Sequence, residues 1–312
     1  MKILLFLLIA FLNGYILSRF LGQKKNSLSV IFPLGLGMVG LFAFWTLLLR
    51  DRIDLLFLLV FEVVFLLLSI ILLRKLNIKL ISPIKINIFD IVIFAFIFFP
   101  ALTQKFGYWD AWAVWNVKAK FLFLDGGVWT RIFLPLKDWL SPDYPILLPS
   151  VVAAGWKLIN AETFWIPLVV SVIFAWSVVV LVKESVSSLL GKELGILAGL
   201  IVFLSPSFIF WGGSQYADIP LAAYLFLGFW LLFKAKSKIE FIISGFSFGL
   251  AMFVKNEGAL YFLIISASLG FAFYLKGRRK EAKNYLFLLL GLIPGIVSLA
   301  IVKFLTPSMV YF

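Results

Sequence analysis

Apolar runs of about twenty residues recur along the whole chain, at 3–21, 28–49, 55–73, 88–104, 164–182, 194–210, 216–233, 239–254, 258–275 and 285–305. A run of that length crosses the hydrocarbon of a bilayer as a helix. Polar residues do not alternate with apolar ones inside these runs, as they would in the strands of a membrane barrel. The predicted fold class is therefore all-α, a polytopic transmembrane helical bundle with about 10–11 membrane helices. Two stretches break the pattern. The segment 105–144 is the one long part that does not span, and 145–159 is apolar but only fifteen residues long. Pro145 and Pro149 at the start of the latter predict a broken entry rather than a straight crossing.

The first run, Lys2 to about Phe20, begins like a signal peptide. It lacks a small-x-small cleavage site, and Asn13-Gly14-Tyr15 leads into further apolar sequence. It reads as a retained span.

Composition points the same way. Apolar residues make up 63% of the chain and charged ones 14%, with a mean hydropathy of +1.10. A soluble domain needs about a quarter of its residues charged, so lipid must be the solvent here. The net charge of +13 does not indicate nucleic acid, because the basic residues cluster in short loops between the apolar runs, where they set topology. Arg19, Lys24 and Lys25 form one such group, and Arg74, Lys75, Lys79 and Lys85 a second. Lys234, Lys236 and Lys238 form a third, and Lys276, Arg278, Arg279, Lys280 and Lys283 a fourth. The excess of Lys and Arg on one side predicts that these four loops are cytoplasmic. The N-terminus and 105–144 then lie outside, with Lys2 as a mild counter-indication. Parity between these loops and the two basic loops downstream requires 145–159 to start and end on the outer side.

The chain has no Cys and no His. Disulfides, thiol chemistry and the usual zinc sites are excluded, and any acid–base chemistry falls to carboxylates, Lys or Tyr. No Walker-type phosphate loop is present, which argues against ATP-driven transport. The outer loop has no acidic pair of the DxD kind, so no bound metal and no cofactor is called for. Charged spans at regular spacing, the mark of a voltage sensor, are absent.

Four short constellations carry candidate chemistry. In Gly107-Tyr108-Trp109-Asp110-Ala111-Trp112-Ala113-Val114-Trp115-Asn116-Val117-Lys118-Ala119-Lys120, the Trp residues at 109, 112 and 115 share one helical face. This predicts an interfacial helix on the membrane surface, with Lys118 and Lys120 near lipid headgroups. Asp110 in its first turn is either a plain helix cap or a general base at the mouth of a membrane cavity. The segment Tyr216-Ala217-Asp218-Ile219-Pro220-Leu221 opens the span 216–233; Asp218 and Pro220 are ordinary helix-start residues, yet the topology puts Asp218 on the side of Asp110. Lys255-Asn256-Glu257-Gly258 places two charges between apolar runs with no polar loop around them. Lys255 either pairs structurally with Glu257 or binds an anionic headgroup. Pro142-Asp143-Tyr144-Pro145 reads by itself as a proline turn. Glu62, deep in the run 55–73, has no partner visible in the sequence, and Lys303 near the end of the last run is placed to snorkel outward.

In order and spacing, Trp109-Asp110-Ala111-Trp112, Pro142-Asp143-Tyr144-Pro145, Tyr216-Ala217-Asp218-Ile219-Pro220-Leu221 and Lys255-Asn256-Glu257-Gly258 resemble the GT-C membrane glycosyltransferases. The branch they resemble is that of the protein mannosyltransferases and lipid A aminoarabinose transferases, a glycosyltransferase family 39-like group. The resemblance covers roughly 88–275, which divides the chain into N-terminal helices at 1–87, a catalytic membrane module at 88–275 that includes the outer loop, and a C-terminal helix at 276–312. Three spans precede the module where many members have none, and no soluble C-terminal domain follows it.

The resemblance implies a sugar transferred from a polyprenyl phosphate of the dolichyl or undecaprenyl type to an acceptor hydroxyl, on the extracytoplasmic face of the cell (inner) membrane. The matching catalytic position is Asp110. A phosphate leaving group needs no general acid, so one carboxylate base suffices for displacement with inversion and without metal. Lys255, and Lys118 or Lys120, would stabilise the departing phosphate, while Asp218, Glu257, Asp143 and Tyr144 would bind substrate. The partners implied are the lipid-phosphate donor, a lipid, glycan or protein acceptor, and membrane lipids. Two other classes stay open: a flippase or secondary transporter of lipid-linked saccharide, which would hold its charges at the bilayer midplane on broken helices of two related halves, and a non-catalytic scaffold.

Overall fold

The computed structural model describes residues 2–22, 26–124, 127–133 and 141–306. The basic pair Lys24–Lys25 and two parts of the expected outer loop, 125–126 and 134–140, lie outside the described residues.

Every apolar run is helical, since a backbone in lipid must satisfy its polar groups within its own segment. The helices are α1 (Lys2–Arg19), α2 (Leu28–Arg50), α3 (Leu55–Lys75), α4 (Ile88–Thr103), α5 (Asn116–Phe123), α6 (Leu147–Ile159) and α7 (Trp165–Leu190). They continue as α8 (Lys192–Leu204), α9 (Pro206–Gly213), α10 (Asp218–Lys234), α11 (Lys238–Val254), α12 (Glu257–Leu275) and α13 (Arg279–Leu305). The polar residues between runs act as start signals. The Asp54 carboxylate accepts from the N–H groups of Leu56 and Phe57 at 3.0 and 3.2 Å, and Ser237 with Glu240 forms a capping box on α11. The only strand pairing among the described residues is a two-residue parallel contact, Asn26–Ser27 with Ile84–Lys85.

The all-α helical bundle agrees with the expected fold class, for which 10–11 membrane helices were counted along the sequence. Six of the helices are long and apolar enough to cross by themselves, or seven if α8 and α9 count as one. These two are bent by 69° at Ser205, where Pro206 can start a helix but not continue one. At 1.5 Å per residue the 16-residue α4 and the 17-residue α10 and α11 reach about 25 Å, at the lower limit for a crossing. One apolar core runs through the molecule from Phe6 to Val302, across the positions of both expected module boundaries. Glycines let helices pack closely at two places: a Cβ on Gly14 or Gly35 would strike the facing backbone of α2 or α1, and one on Gly291 or Gly245 the carbonyl of Ile242 or Leu288 between α11 and α13.

Two buried carboxylates are paired across helices. Glu62 of α3, for which the sequence offered no partner, accepts from the Asn13 side chain of α1. It is not alone in being buried, because Asp90 of α4 and Lys183 of α7 form an ion pair shielded from solvent.

The loops sort to two ends. At one end Arg19 Nε donates to Lys79 O (2.9 Å), Lys85 pairs with Glu184, Lys234 Nζ reaches Ser188 Oγ (3.1 Å) and Arg278 reaches Ala235 O (3.3 Å). The four basic segments thus share one end. At the other end Lys2 Nζ donates to Ile159 O (3.0 Å), Trp129 Nε1 to Asp51 Oδ1 (2.6 Å) and Lys303 Nζ to Asp143 O (2.6 Å). Lys2 therefore sits opposite the basic loops. Helix α6 begins just after Asp143 and ends at Ile159, so both its termini lie at this second end, and it packs against α2 and α5 without running to the first.

Candidate functional site

The segment that follows α4 is docked, not loosely laid on the surface. Gly107 takes a left-handed φ of +72°, and a Cβ there would press on Ala111 and on the Ser214 carbonyl. The turn lets Tyr108 N–H reach Ser214 O at 3.3 Å and stacks the Tyr108 ring 4.6 Å from Phe210. Gln215, itself at φ +60°, donates to Lys105 O (2.9 Å) and accepts from Asn116 Nδ2 (3.0 Å).

Residues 111–115 form a π-helical turn. This corrects the expected single face of three Trp. The wider i→i+5 turn shifts the register, so Trp109 and Trp112 stay exposed, ring to ring at 4.6 Å, while Trp115 is buried. Trp115 instead stacks flat on Tyr144, with centroids 5.7 Å apart and planes at 8°. Asp110 precedes this turn. Its backbone N–H donates to Tyr216 Oη at 3.2 Å, and its half-buried carboxylate has no hydrogen bond or ion pair among the described residues.

Lys118 does not face lipid headgroups. Its side chain is fully buried and Nζ donates to Ser141 O (2.7 Å) and Tyr144 O (3.2 Å). Burial pushes its ammonium down from 10.5 to about 7, against the pull of the Asp143 carboxylate and with a small push from Lys303. The sequence pattern put it on the exposed face; the π turn rotates it under the 141–144 segment. Lys120 is exposed and bridges to Glu162 at 3.1 Å.

The other three constellations converge on Lys255. Its Nζ lies 3.1 Å from Asp218 Oδ1, 3.6 Å from Glu257 Oε1 and 5.6 Å from the centre of the Tyr144 ring. The sequence suggested Glu257 as its partner, yet Asp218, thirty-seven positions away, is closer. Burial alone would lower the Lys255 ammonium; Asp218 and then Glu257 outweigh it and hold it above its ordinary value. Burial, followed by Glu257, raises the Tyr144 phenol. Asp143 Oδ2 accepts from Asn256 Nδ2 at 3.1 Å, while its carbonyl takes the Lys303 ammonium. Lys303 thus turns inward to the loop instead of snorkelling. Among the described residues no three acidic side chains gather closely enough to hold a metal ion.

Two links join Asp110 to this cluster: the Trp115–Tyr144 stack, and Tyr216, two residues before Asp218. Tyr216, Gln215 and Asn256 were given no role from the sequence, and Trp115 was read only as part of an interfacial Trp face. Each lies inside one of the four motifs or beside it, which was the only signal available.

The family described as dolichyl-phosphate-mannose-protein mannosyltransferase matches residues 143–302, just over half of the chain's 312 residues. No curated protein and no solved structure matches the chain. The matched stretch takes in Asp143, Tyr144, Asp218, Lys255 and Glu257 and continues through most of α13, past the boundary expected at 275; Asp110, Lys118 and Lys120 precede it. The shared stretch is thus the part of the bundle that builds the Lys255 cluster, and the chain belongs to the dolichyl-phosphate-mannose-protein mannosyltransferase family, integral membrane glycosyltransferases that use polyprenyl-phosphate sugars.

Proposed function

We propose that the chain transfers a sugar from a polyprenyl phosphate to an acceptor hydroxyl by a single displacement at the Asp110 end of the bundle, and that this end faces away from the cytoplasm. The observation that carries the reading is the state of Asp110. Asp143, Asp218 and Glu257 are each engaged with Asn256 or Lys255. Asp110 is held through its backbone by Tyr216, while its carboxylate oxygens are left for a ligand. In the reaction Asp110 takes the acceptor hydroxyl proton as that oxygen bonds to the anomeric carbon. The bond from anomeric carbon to phosphate oxygen breaks, the electron pair leaves with the polyprenyl phosphate, and the anomeric centre inverts.

Lys255 stays charged at neutral pH and is the cation that the leaving phosphate meets. Asp218, about half exposed, exchanges its bond to Lys255 for hydroxyls of the donor sugar. Lys118 has no part in phosphate binding, because its donors are used on backbone carbonyls. The sidedness rests on the excess of Lys and Arg at the opposite end, and the reading asks for no metal and places the protein in the cell membrane.

The test uses purified protein in nanodiscs with a polyprenyl-phosphate hexose. Asp110→Asn keeps the backbone bond to Tyr216, so its melting temperature should equal that of the wild type. Loss of a general base lowers transfer by about two orders of magnitude or more, and EDTA leaves the wild type active. Near-normal turnover by the Asn variant would remove Asp110 from the mechanism, and strong inhibition by EDTA would sink the metal-free displacement.

A further inference from the structure

We propose that a cleft at the Asp110 end of the bundle is the acceptor subsite of this reaction and that it takes a saccharide ring; its role as acceptor site rests on the function proposed above, while the saccharide chemistry does not. The cleft encloses about 330 Å³ between the end of α4, α5, the α6–α7 loop and Gln215. That volume is at the lower end of the range for small-molecule sites, about 300–1,000 Å³. It is room for a sugar ring, not for a folded partner.

Its walls are aromatic. Trp112 is half exposed on one side, and Phe106 and Phe164 meet edge to face at 5.7 Å on another. Flat rings stack on the C–H faces of a pyranose, which water hydrates poorly. Its polar groups are of both signs and short reach. Glu162 and Lys120 stand 3.1 Å apart at the rim. The Asn116 amide keeps its oxygen clear of any described partner while its nitrogen is fixed by Gln215. Thr163 Oγ1 is buried at the lining with no hydrogen-bond partner. A buried hydroxyl without a partner is costly, and a ligand hydroxyl would relieve it.

The lining carries two cations, Lys105 and Lys120, and one carboxylate, Glu162, and a neutral polyol can donate to Glu162 and accept from Lys120 in turn. An extended peptide would instead seek a free strand edge, and the only strands among the described residues lie at the basic end. The cleft also adjoins the chemistry. The Asn116–Gln215 pair of its floor continues to Tyr216, whose hydroxyl accepts from the Asp110 backbone N–H.

The experiment is saturation-transfer NMR on the full chain in nanodiscs of neutral lipid. The probes are methyl glycosides of mannose, glucose, galactose and N-acetylglucosamine, and separately a short threonine-containing peptide. At least one glycoside should show saturable transfer to its ring C–H protons, and the peptide none. Trp112→Ala should weaken that binding by about tenfold, the scale of one lost aromatic anchor, and Phe164→Leu should weaken it as well. Lys236→Met, at the opposite end of the bundle, should bind the glycoside as the wild type does. No saturable glycoside binding, binding unchanged in both aromatic variants, or displacement of the glycoside by the peptide or by anionic lipid would each overturn the subsite. Because binding is read without turnover, persistent glycoside binding alongside an active Asp110→Asn would refute the catalytic reading and leave the subsite standing.

Discussion

Lys118→Met isolates the strut beneath the site, and its effect should change with pH. In the folded chain burial holds the Lys118 ammonium near 7, against 10.5 when the chain is unfolded. Above pH 7 the folded state carries a neutral amine, whose two N–H groups still serve Ser141 O and Tyr144 O. Between about pH 7 and 10.5 the unfolded state binds more protons than the folded one, so the Lys118 contribution to stability rises with pH. The slope is about 0.7 kcal/mol per pH unit at pH 7 and rises to about 1.4 above it, which gives about 2 kcal/mol from pH 7 to pH 9. Below pH 7 both states are protonated and the contribution levels off at its minimum.

Methionine removes the titration and leaves two carbonyls without donors, at about 1–3 kcal/mol each. At pH 9 the wild type should therefore melt clearly above Lys118→Met. At pH 6 burial of the charge offsets those bonds and the two melting curves should approach each other. Subtracting the curves cancels other groups, leaving only Asp143 and Lys303 as charges that sense Lys118 directly. The assay is thermal unfolding in detergent from pH 6 to 9. A difference that does not grow with pH would show that Lys118 does not titrate in this window and would refute the argument from burial.

Three further outcomes follow from the geometry. Asp218→Asn and Lys255→Met should be non-additive in the donor Michaelis constant, since their charges lie 3.1 Å apart; strict additivity in a double-mutant cycle would separate them functionally. With no native Cys to interfere, Arg52→Cys in intact cells should react with an impermeant maleimide from outside and Lys236→Cys only after permeabilisation, and the reverse would invert the assigned sidedness. Gly291→Val should lower the melting temperature sharply, because a Cβ there collides with the backbone of α11 at Ile242; unchanged melting would mean that α13 can move away from α11 at little cost.

Much of this protein is legible without coordinates, and the reason is the solvent. Lipid forces each long apolar run into a helix, and Lys and Arg gather on one side, so the number of runs, the grouping of the basic loops and the odd helix 145–159 can be read from residue order. The candidate residues were legible as motifs because polar groups at membrane depth are conspicuous. Their partners were not. Lys255 finds Asp218 across thirty-seven positions, Glu62 finds Asn13 across forty-nine, and Lys183 finds Asp90 across ninety-three. Helix periodicity carries no information about which helix packs beside which. Lys118 shows the other limit. One π turn at 111–115 was enough to exchange an exposed face for a buried one. Local sequence determines that a helix forms in lipid, but close packing against α6 and the 214–216 turn decides its register, and with it which side chains meet a substrate.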